Sequence, residues 1–228
     1  MLKNDKHNLH LGNSDRLKFK KLYNVSRETT NILETYEECL LHSNSQFNLI
    51  GSGTQKNIWS RHFADSAKLF FLIKSKLEKK IEKPTICDIG SGAGFPGIII
   101  KIFSNEFNLD CDIDLFESNK KKSNFLEKLA ETLRLNIIIN NSRVEDTTKS
   151  YDIILCRAVS SLLNIINMSR ICSKNSSLLV LPKGKNWSKE VIEAKKVWNF
   201  NVKIVKNNRM LDNSGGVTLL INEVRKNK

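Results

Sequence analysis

Thr85-Ile86-Cys87-Asp88-Ile89-Gly90-Ser91-Gly92-Ala93-Gly94-Phe95-Pro96-Gly97 is the stretch on which the fold turns. Its first five residues are a short, mostly apolar run, the composition of a buried strand. They lead straight into Gly90-x-Gly92-x-Gly94 and then into an apolar segment opened by Pro96. Proline's fixed φ and missing N–H suit a first helical turn, so strand, glycine turn and helix (about Pro96–Ser104) are expected in succession. Glycines let a backbone turn tightly and approach a ligand closely. Such repeats serve several nucleotide-binding folds and do not by themselves choose one.

Outward from this turn, β-rich runs alternate with helical segments, the pattern of a parallel sheet with crossover helices. Strands are expected at Thr85–Ile89, Asp112–Phe116, Asn136–Ile139, Ile153–Cys156, Ser177–Leu181, Asn201–Val205 and Val217–Asn222. Helices are expected between them at Asn119–Leu133, Ser161–Cys172 and Trp187–Val197. The last two strands are separated only by Lys206–Gly216, too short for a parallel crossover, so the final strand should run antiparallel. Upstream, Thr29, Ile32, Leu33, Tyr36 and Leu40 repeat at helical spacing behind Ser26, a good N-cap, which predicts a helix to about His42. A polar loop over Asn44–Gly53 and a second helix over about Lys56–Lys74 follow. The charged stretch Lys74–Lys83, ending in Pro84, divides the chain into an N-terminal helical extension (1–83) and an α/β domain (84–228). Five parallel strands and a terminal hairpin form the Rossmann-like, seven-stranded sheet of class I S-adenosylmethionine-dependent methyltransferases.

Two carboxylates favour that cofactor over a dinucleotide. Asp88, just ahead of the first glycine, would oppose a pyrophosphate but suits the ammonium of a methionine. Glu117 closes the next strand, where a carboxylate accepts hydrogen bonds from ribose hydroxyls. After the third strand, Asn141-Ser142-Arg143-Val144-Glu145-Asp146 offers amides and a side chain to an adenine edge; a surface contact between Arg143 and Glu145 is the plainer alternative. Cys156-Arg157-Ala158-Val159 ends the fourth strand, where the transferred methyl is expected. The Asn/Asp-Pro-Pro-aromatic motif of amine methylation and the Pro-Cys of cytosine-C5 methylation are both missing there, and Cys156 reads as a packed thiol.

The chain has 228 residues, with 37 Lys and Arg against 24 Asp and Glu, a net charge of +13. Clustered cations favour a polyanionic partner. Lysine supplies 28 of the 37, however, beside abundant Asn and Ile, which an AT-rich coding sequence also produces. Arginine is the more informative cation because its planar fork binds bidentately, and Arg61, Arg143 and Arg157 fall inside motifs. The five cysteines form no C-x-x-C pair and suggest neither zinc nor disulfides. The polar start of the chain and the lack of a long apolar run point to the cytoplasm.

Taken in order, Asn48-Leu49, Arg61-His62-x-x-Asp65-Ser66, Asp88-Ile89-Gly90-Ser91-Gly92-Ala93-Gly94-Phe95-Pro96-Gly97-Ile98, Ser142-Arg143-Val144-Glu145, Arg157-Ala158 and Lys183-Gly184 resemble the 16S ribosomal RNA guanine-N7 methyltransferases, the family also called glucose-inhibited division protein B. The resemblance implies methyl transfer from S-adenosylmethionine to a guanine N7 in the 530 loop of 16S rRNA. It also implies cofactor contacts from Gly90, Phe95, Val144, Glu145 and Arg157, to which the residues themselves add Asp88, Gly92, Gly94 and Glu117. Departures from the family pattern fall at Ile50, Cys156 and Gly215-Gly216. Guanine N7 has a lone pair and no proton, so no acid–base residue is obligatory, and Arg157 is the one catalytic candidate.

Arg61, His62 and Asp65 can share one side of a helix, either as a structural tie or with Arg61 and His62 touching RNA; Lys183 and Lys185 are candidate phosphate contacts or an exposed turn. Expected partners are 16S rRNA or the small ribosomal subunit, with no membrane and no metal, the protein acting as a monomer. Competing readings are a nicotinamide-dependent oxidoreductase, a non-enzymatic RNA-binding module, and a class I methyltransferase acting on another RNA, a small molecule or a protein.

Overall fold

In a computed structural model, residues 14–78, 83–206 and 216–227 are described. Part of the charged stretch proposed as a boundary (79–82) and most of the loop before the last strand (207–215, including Gly215) lie outside them. A helix over 14–23 (α1) precedes α2 (Arg27–Asn44) and α3 (Ala64–Glu78). The sheet region then runs β1 (Thr85–Ile89), α4 (Gly97–Glu106), β2 (Asp112–Phe116), α5 (Lys120–Thr132), β3 (Ile138–Asn140), β4 (Tyr151–Cys156), α6 (Leu162–Ser169), β5 (Ser173–Lys183), α7 (Trp187–Lys195), β6 (Trp198–Lys206) and β7 (Val217–Lys226). The seven strands are ordered β3-β2-β1-β4-β5-β7-β6. β7 lies between β5 and β6 and is antiparallel to both.

Side chains alternate across the central strands as a period of two requires. Ile86, Ile153 and Leu155 join one apolar cluster with α4, α5 and the N-terminal helices. Cys87, Ile89, Ile154 and Cys156 join a second with α6, α7 and the terminal strands. Helices therefore cover both faces, which is why these strands read as unbroken apolar runs. The first cluster crosses from the N-terminal helices into the sheet: Phe19 and Tyr23 of α1 pack edge-on against Phe103 of α4, with centroids 6.2 and 5.8 Å apart.

Ser26 caps α2 as expected, its hydroxyl accepting from the Thr29 N–H at 3.0 Å. The carboxylate of Glu106 on α4 also accepts from the Ser26 N–H (2.8 Å) and hydroxyl (2.7 Å), anchoring the entry of α2 to the sheet's helix layer. β1 and β2 form as expected; β3 is displaced to Ile138–Asn140, β5 and β6 are longer, and the end of the sixth helix tightens into a 3-10 turn, Arg170–Cys172. Pro96 is the N-cap of α4 rather than its first helical residue, and it follows a cis peptide bond. The segment expected as one helix from Lys56 is built from a 3-10 turn (Ser52–Asn57), a π-helical turn (Trp59–Phe63) and α3. α1 was not anticipated: Leu17 and Leu22 are exposed while Phe19 and Tyr23 are buried, so its apolar pattern is too weak to read without its neighbours.

Candidate functional site

β1 and β4 are adjacent and their C-terminal ends open at the point where the strand order reverses, the usual binding crevice of a doubly wound sheet. The glycine turn sits there. Gly90, Gly92 and Gly94 all have positive φ (69°, 58° and 98°), conformations open to glycine and costly for other residues. A Cβ on Gly90 would stand 2.5 Å from Cγ2 of Val159, and one on Gly94 would stand 2.7 Å from the Tyr36 hydroxyl. The turn is held from below by Ser91, whose hydroxyl donates to the Asp88 carbonyl at 3.0 Å.

Asp88 is fully buried. Its Oδ2 accepts from the Gly97 N–H at 3.0 Å, while Oδ1 is buried with no partner. Burial pushes its carboxyl up to about 7, against the Gly97 bond and the Arg157 charge, which favour the carboxylate. Glu117 accepts from the Gly92 N–H (2.9 Å) and the Asn119 N–H (2.8 Å), so the end of β2 carries the middle of the glycine turn. Asn141 donates to the Glu117 carbonyl at 2.9 Å and brings the β3 loop alongside. There Val144 is buried and Glu145 exposed, in a 3-10 turn whose first N–H groups have no partner inside the turn.

Phe95 stacks with two rings. One is Tyr36 (centroids 5.3 Å, planes 14° apart) and the other is His62 (4.9 Å, 15°). The Tyr36 hydroxyl donates to the Ala93 carbonyl at 2.7 Å. The Thr54 hydroxyl has one hydrogen and gives it to the Gly51 carbonyl at 2.9 Å. At the 3.0 Å contact between His62 Nε2 and Thr54 Oγ1, the imidazole is therefore the donor. Burial, helped by the Arg157 and Arg61 charges, pushes His62 down to about 3. The ring is thus neutral with a bare lone pair on Nδ1, an atom buried without a partner.

Arg157 directly follows β4. Its Nη2 donates to the Arg61 carbonyl at 2.9 Å and lies 4.0 Å from Oδ2 of Asp65; Nη1 is buried and unpartnered. Arg157 therefore bridges Arg61 and Asp65 of the motif Arg61-His62-x-x-Asp65. The π turn adds one residue per turn relative to an α-helix, which separates His62 from Asp65: His62 contacts Thr54, and Asp65 binds Lys68 at 3.1 Å. Cys156 is buried and burial pushes its thiol up to about 12, so it stays a protonated packed group.

Lys183 is enclosed. Its ammonium donates to the Ser160 carbonyl (2.9 Å) and Glu190 Oε2 (2.8 Å), with only 7% of the side chain exposed. These internal partners correct the phosphate-contact reading at that position, because a cation already buried against a carboxylate does not reach an RNA backbone; Lys185 is exposed. Tyr36, Thr54 and Glu190 were not singled out as site residues. Tyr36 stood only as one member of an apolar stripe, and its hydroxyl was the available signal.

The residues fit S-adenosylmethionine. Asp88 Oδ1 and Arg157 Nη1 are oppositely charged, buried and unpaired, as the ammonium and carboxylate of an amino acid require, and Glu117 stands where a ribose would lie. Among the described residues, no group of three His, Cys, Asp or Glu side chains could hold a metal ion, and no helix is long and apolar enough to cross a membrane.

Solved structures share the architecture. Magnesium protoporphyrin IX methyltransferase from Synechocystis, solved with S-adenosylmethionine, superposes with a TM-score of 0.58 at 10% identity, covering 86% of this chain and 98% of that one. Ribosomal protein L11 methylase from Lactobacillus delbrueckii gives 0.52 at 14%, covering 70% and 78%. The sheet order, the antiparallel β7 and the glycine turn at the reversal point define a class I S-adenosylmethionine-dependent methyltransferase. The family model described as rRNA small subunit methyltransferase G matches residues 29–215, and the chain belongs to that family. The ribosomal RNA small subunit methyltransferase G of Zymomonas mobilis is 37% identical over 183 residues, spanning 79% of this chain and 80% of its own. The protein of the same name from Bartonella henselae is 34% identical over 209 residues, spanning 90% and 92%.

Proposed function

We propose that this protein acts in the cytoplasm and methylates N7 of a guanine in the 530 loop of 16S rRNA, presented as free RNA or within the small subunit. The carrying observation is the pair of buried, unpartnered atoms Asp88 Oδ1 and Arg157 Nη1 beside the glycine turn, which suits the amino-acid end of S-adenosylmethionine. Guanine N7 has no proton to remove, so placing the cofactor is enough and no general base is needed. S-adenosylmethionine, when bound, supplies an electrophilic methyl on a sulfonium.

The chain's own contribution is placement and exclusion of water. Asp88 and Arg157 hold the amino-acid end, Glu117 the ribose, and the amides at Val144 and Glu145 the adenine edge; Gly90, Gly92 and Gly94 let the backbone close on the sulfur region. An arginine fork on guanine would take both O6 and N7 and so occupy the attacking lone pair. Arg157, already bonded to the Arg61 carbonyl, instead orients the cofactor. Arg61, His62 and Lys185 are the candidate contacts to RNA. Chemical cleavage mapping of N7-methylguanosine in small-subunit RNA, from cells with and without the protein, tests the assignment. Loss of one guanine signal in the 530 loop is expected on deletion; an unchanged map rejects the substrate.

A further inference from the structure

A cavity of about 410 Å³ lies between α2 and α5, lined by none of the candidate cofactor residues. Lys121, Asn124 and Lys128 form its α5 wall, and His42 of α2 with Gln46 and Phe47 just after that helix form the opposite wall. Among the described residues, no acidic side chain lines it. Lys121, Asn124 and Lys128 recur at three- and four-residue spacing, so they form one stripe along the helix, about 10 Å from the first lysine to the last at 1.5 Å per residue. Many lysines here are committed: Lys68, Lys83, Lys149, Lys174, Lys183 and Lys196 all bind carboxylates. Lys121 and Lys128 are in no ion pair among the described residues.

The two helices also reach residues that hold the glycine turn. On α2, Tyr36 donates to the Ala93 carbonyl one turn before Cys39, which lines the cavity. α5 begins beside Asn119, whose N–H binds Glu117. The groove carries a half-buried aromatic ring, amides and two ammoniums that pair with no carboxylate among the described residues. Those groups suit a single-stranded nucleic acid, which is held by cations on its phosphates and by rings against its bases.

We infer that the α2–α5 groove is a second RNA site that anchors a strand flanking the target nucleotide, with Lys121 and Lys128 each neutralising a phosphate. This rests on the small-subunit RNA reading above. Filter binding of the full protein to 16S rRNA over a salt series tests it, alongside calorimetric binding of S-adenosylmethionine and a thermal melt. In K121Q/K128Q, RNA affinity should fall about tenfold near 0.1 M salt, with the log–log salt slope shallower by about 1.4, or 0.7 per single-strand phosphate. Cofactor affinity and melting temperature should stay unchanged. K189Q/K203Q, removing two exposed lysines of α7 and β6, should lower affinity far less. RNA binding by K121Q/K128Q equal to wild type, or equal losses in both double variants, would overturn the groove alone. Absence of wild-type binding to 16S rRNA would overturn both the groove and the substrate reading.

Discussion

Tyr36 of the N-terminal helix α2 donates its hydroxyl hydrogen to the carbonyl of Ala93, in the middle of the glycine turn, at 2.7 Å. Burial pushes that hydroxyl's pKa well up, so it remains a donor. The N-terminal helices thus do more than cover the sheet: they hold the turn through this bond and through the ring stack on Phe95.

Replacing Tyr36 by Phe keeps the ring but leaves the Ala93 carbonyl unpaired, which costs about 1–3 kcal/mol. Denaturant unfolding should report that loss, and calorimetry should report cofactor affinity reduced about fivefold or more. A variant with wild-type cofactor affinity would show that the turn holds itself.

Gly92 and Gly97 separate two kinds of damage. Gly92 has φ +58° and open space around its missing Cβ, whereas a Cβ on Gly97 would meet Leu115 at 2.3 Å and Asp88 at 2.8 Å. Gly92→Val places a β-branched residue in a left-handed conformation on the cofactor side, so calorimetric cofactor binding should vanish while most of the fold survives. Gly97→Ala should instead lower stability by about 1–3 kcal/mol through overpacking, seen as an early melt.

Arg157→Ala removes the donor to the Arg61 carbonyl, the partner of Asp65 and the unpartnered Nη1. Methylation of small-subunit RNA should drop at least a hundredfold while circular dichroism stays that of the folded protein. Arg157→Lys should restore little, since one ammonium does not reproduce the guanidinium fork.

Asp88 predicts a pH dependence of fixed sign. Its folded value of about 7 lies above its ordinary 3.8, so its contribution to stability is full below about pH 4 and is lost as pH rises through 7. In cofactor-free protein, melting temperature should decline from pH 5 to 8 relative to Asp88→Asn. An ammonium beside Asp88 favours the carboxylate, so cofactor affinity should rise about tenfold between pH 6 and 7.5. A flat affinity profile would place the ammonium elsewhere. His62 acts oppositely: depressed from 6.5 to about 3, it withdraws stability only as pH falls below 6.5.

Lys183→Met should affect stability rather than RNA affinity. The ammonium it removes is shared by Ser160 and Glu190, and Glu190 also accepts from the Leu162 N–H at 2.8 Å. Because Glu190 is partly exposed, the loss should be about 1–3 kcal/mol, a few degrees in melting temperature. Filter binding should change less than twofold.

Local chemistry was enough for much of this. Strand β1, the glycine turn and the N-cap at Ser26 depend on neighbours in the chain, so Thr85–Gly97 and Ser26–Thr29 could be read directly. The antiparallel β7 followed from the length of the loop before it, and Asp88 and Glu117 from their positions at strand ends. Helix α1 could not be read, because two of its four large apolar residues face solvent and the others are buried by distant residues such as Trp59, Phe71 and Phe103.

The sequence by itself determined the class of sheet, its antiparallel last strand and the position of the glycine turn, since each is set by periodicity, glycine conformation or loop length. Tertiary structure alone decided what the charged and aromatic side chains do. Lys183 and Lys121 look alike in sequence, yet one is buried against Glu190 and the other is left unpaired in a groove. His62 and Asp65 look like partners, yet the π turn sends them to Thr54 and Lys68. The reason is physical: a side chain's charge state and partners depend on the groups that long-range packing brings within a few ångströms, and spacing along the chain does not carry that information.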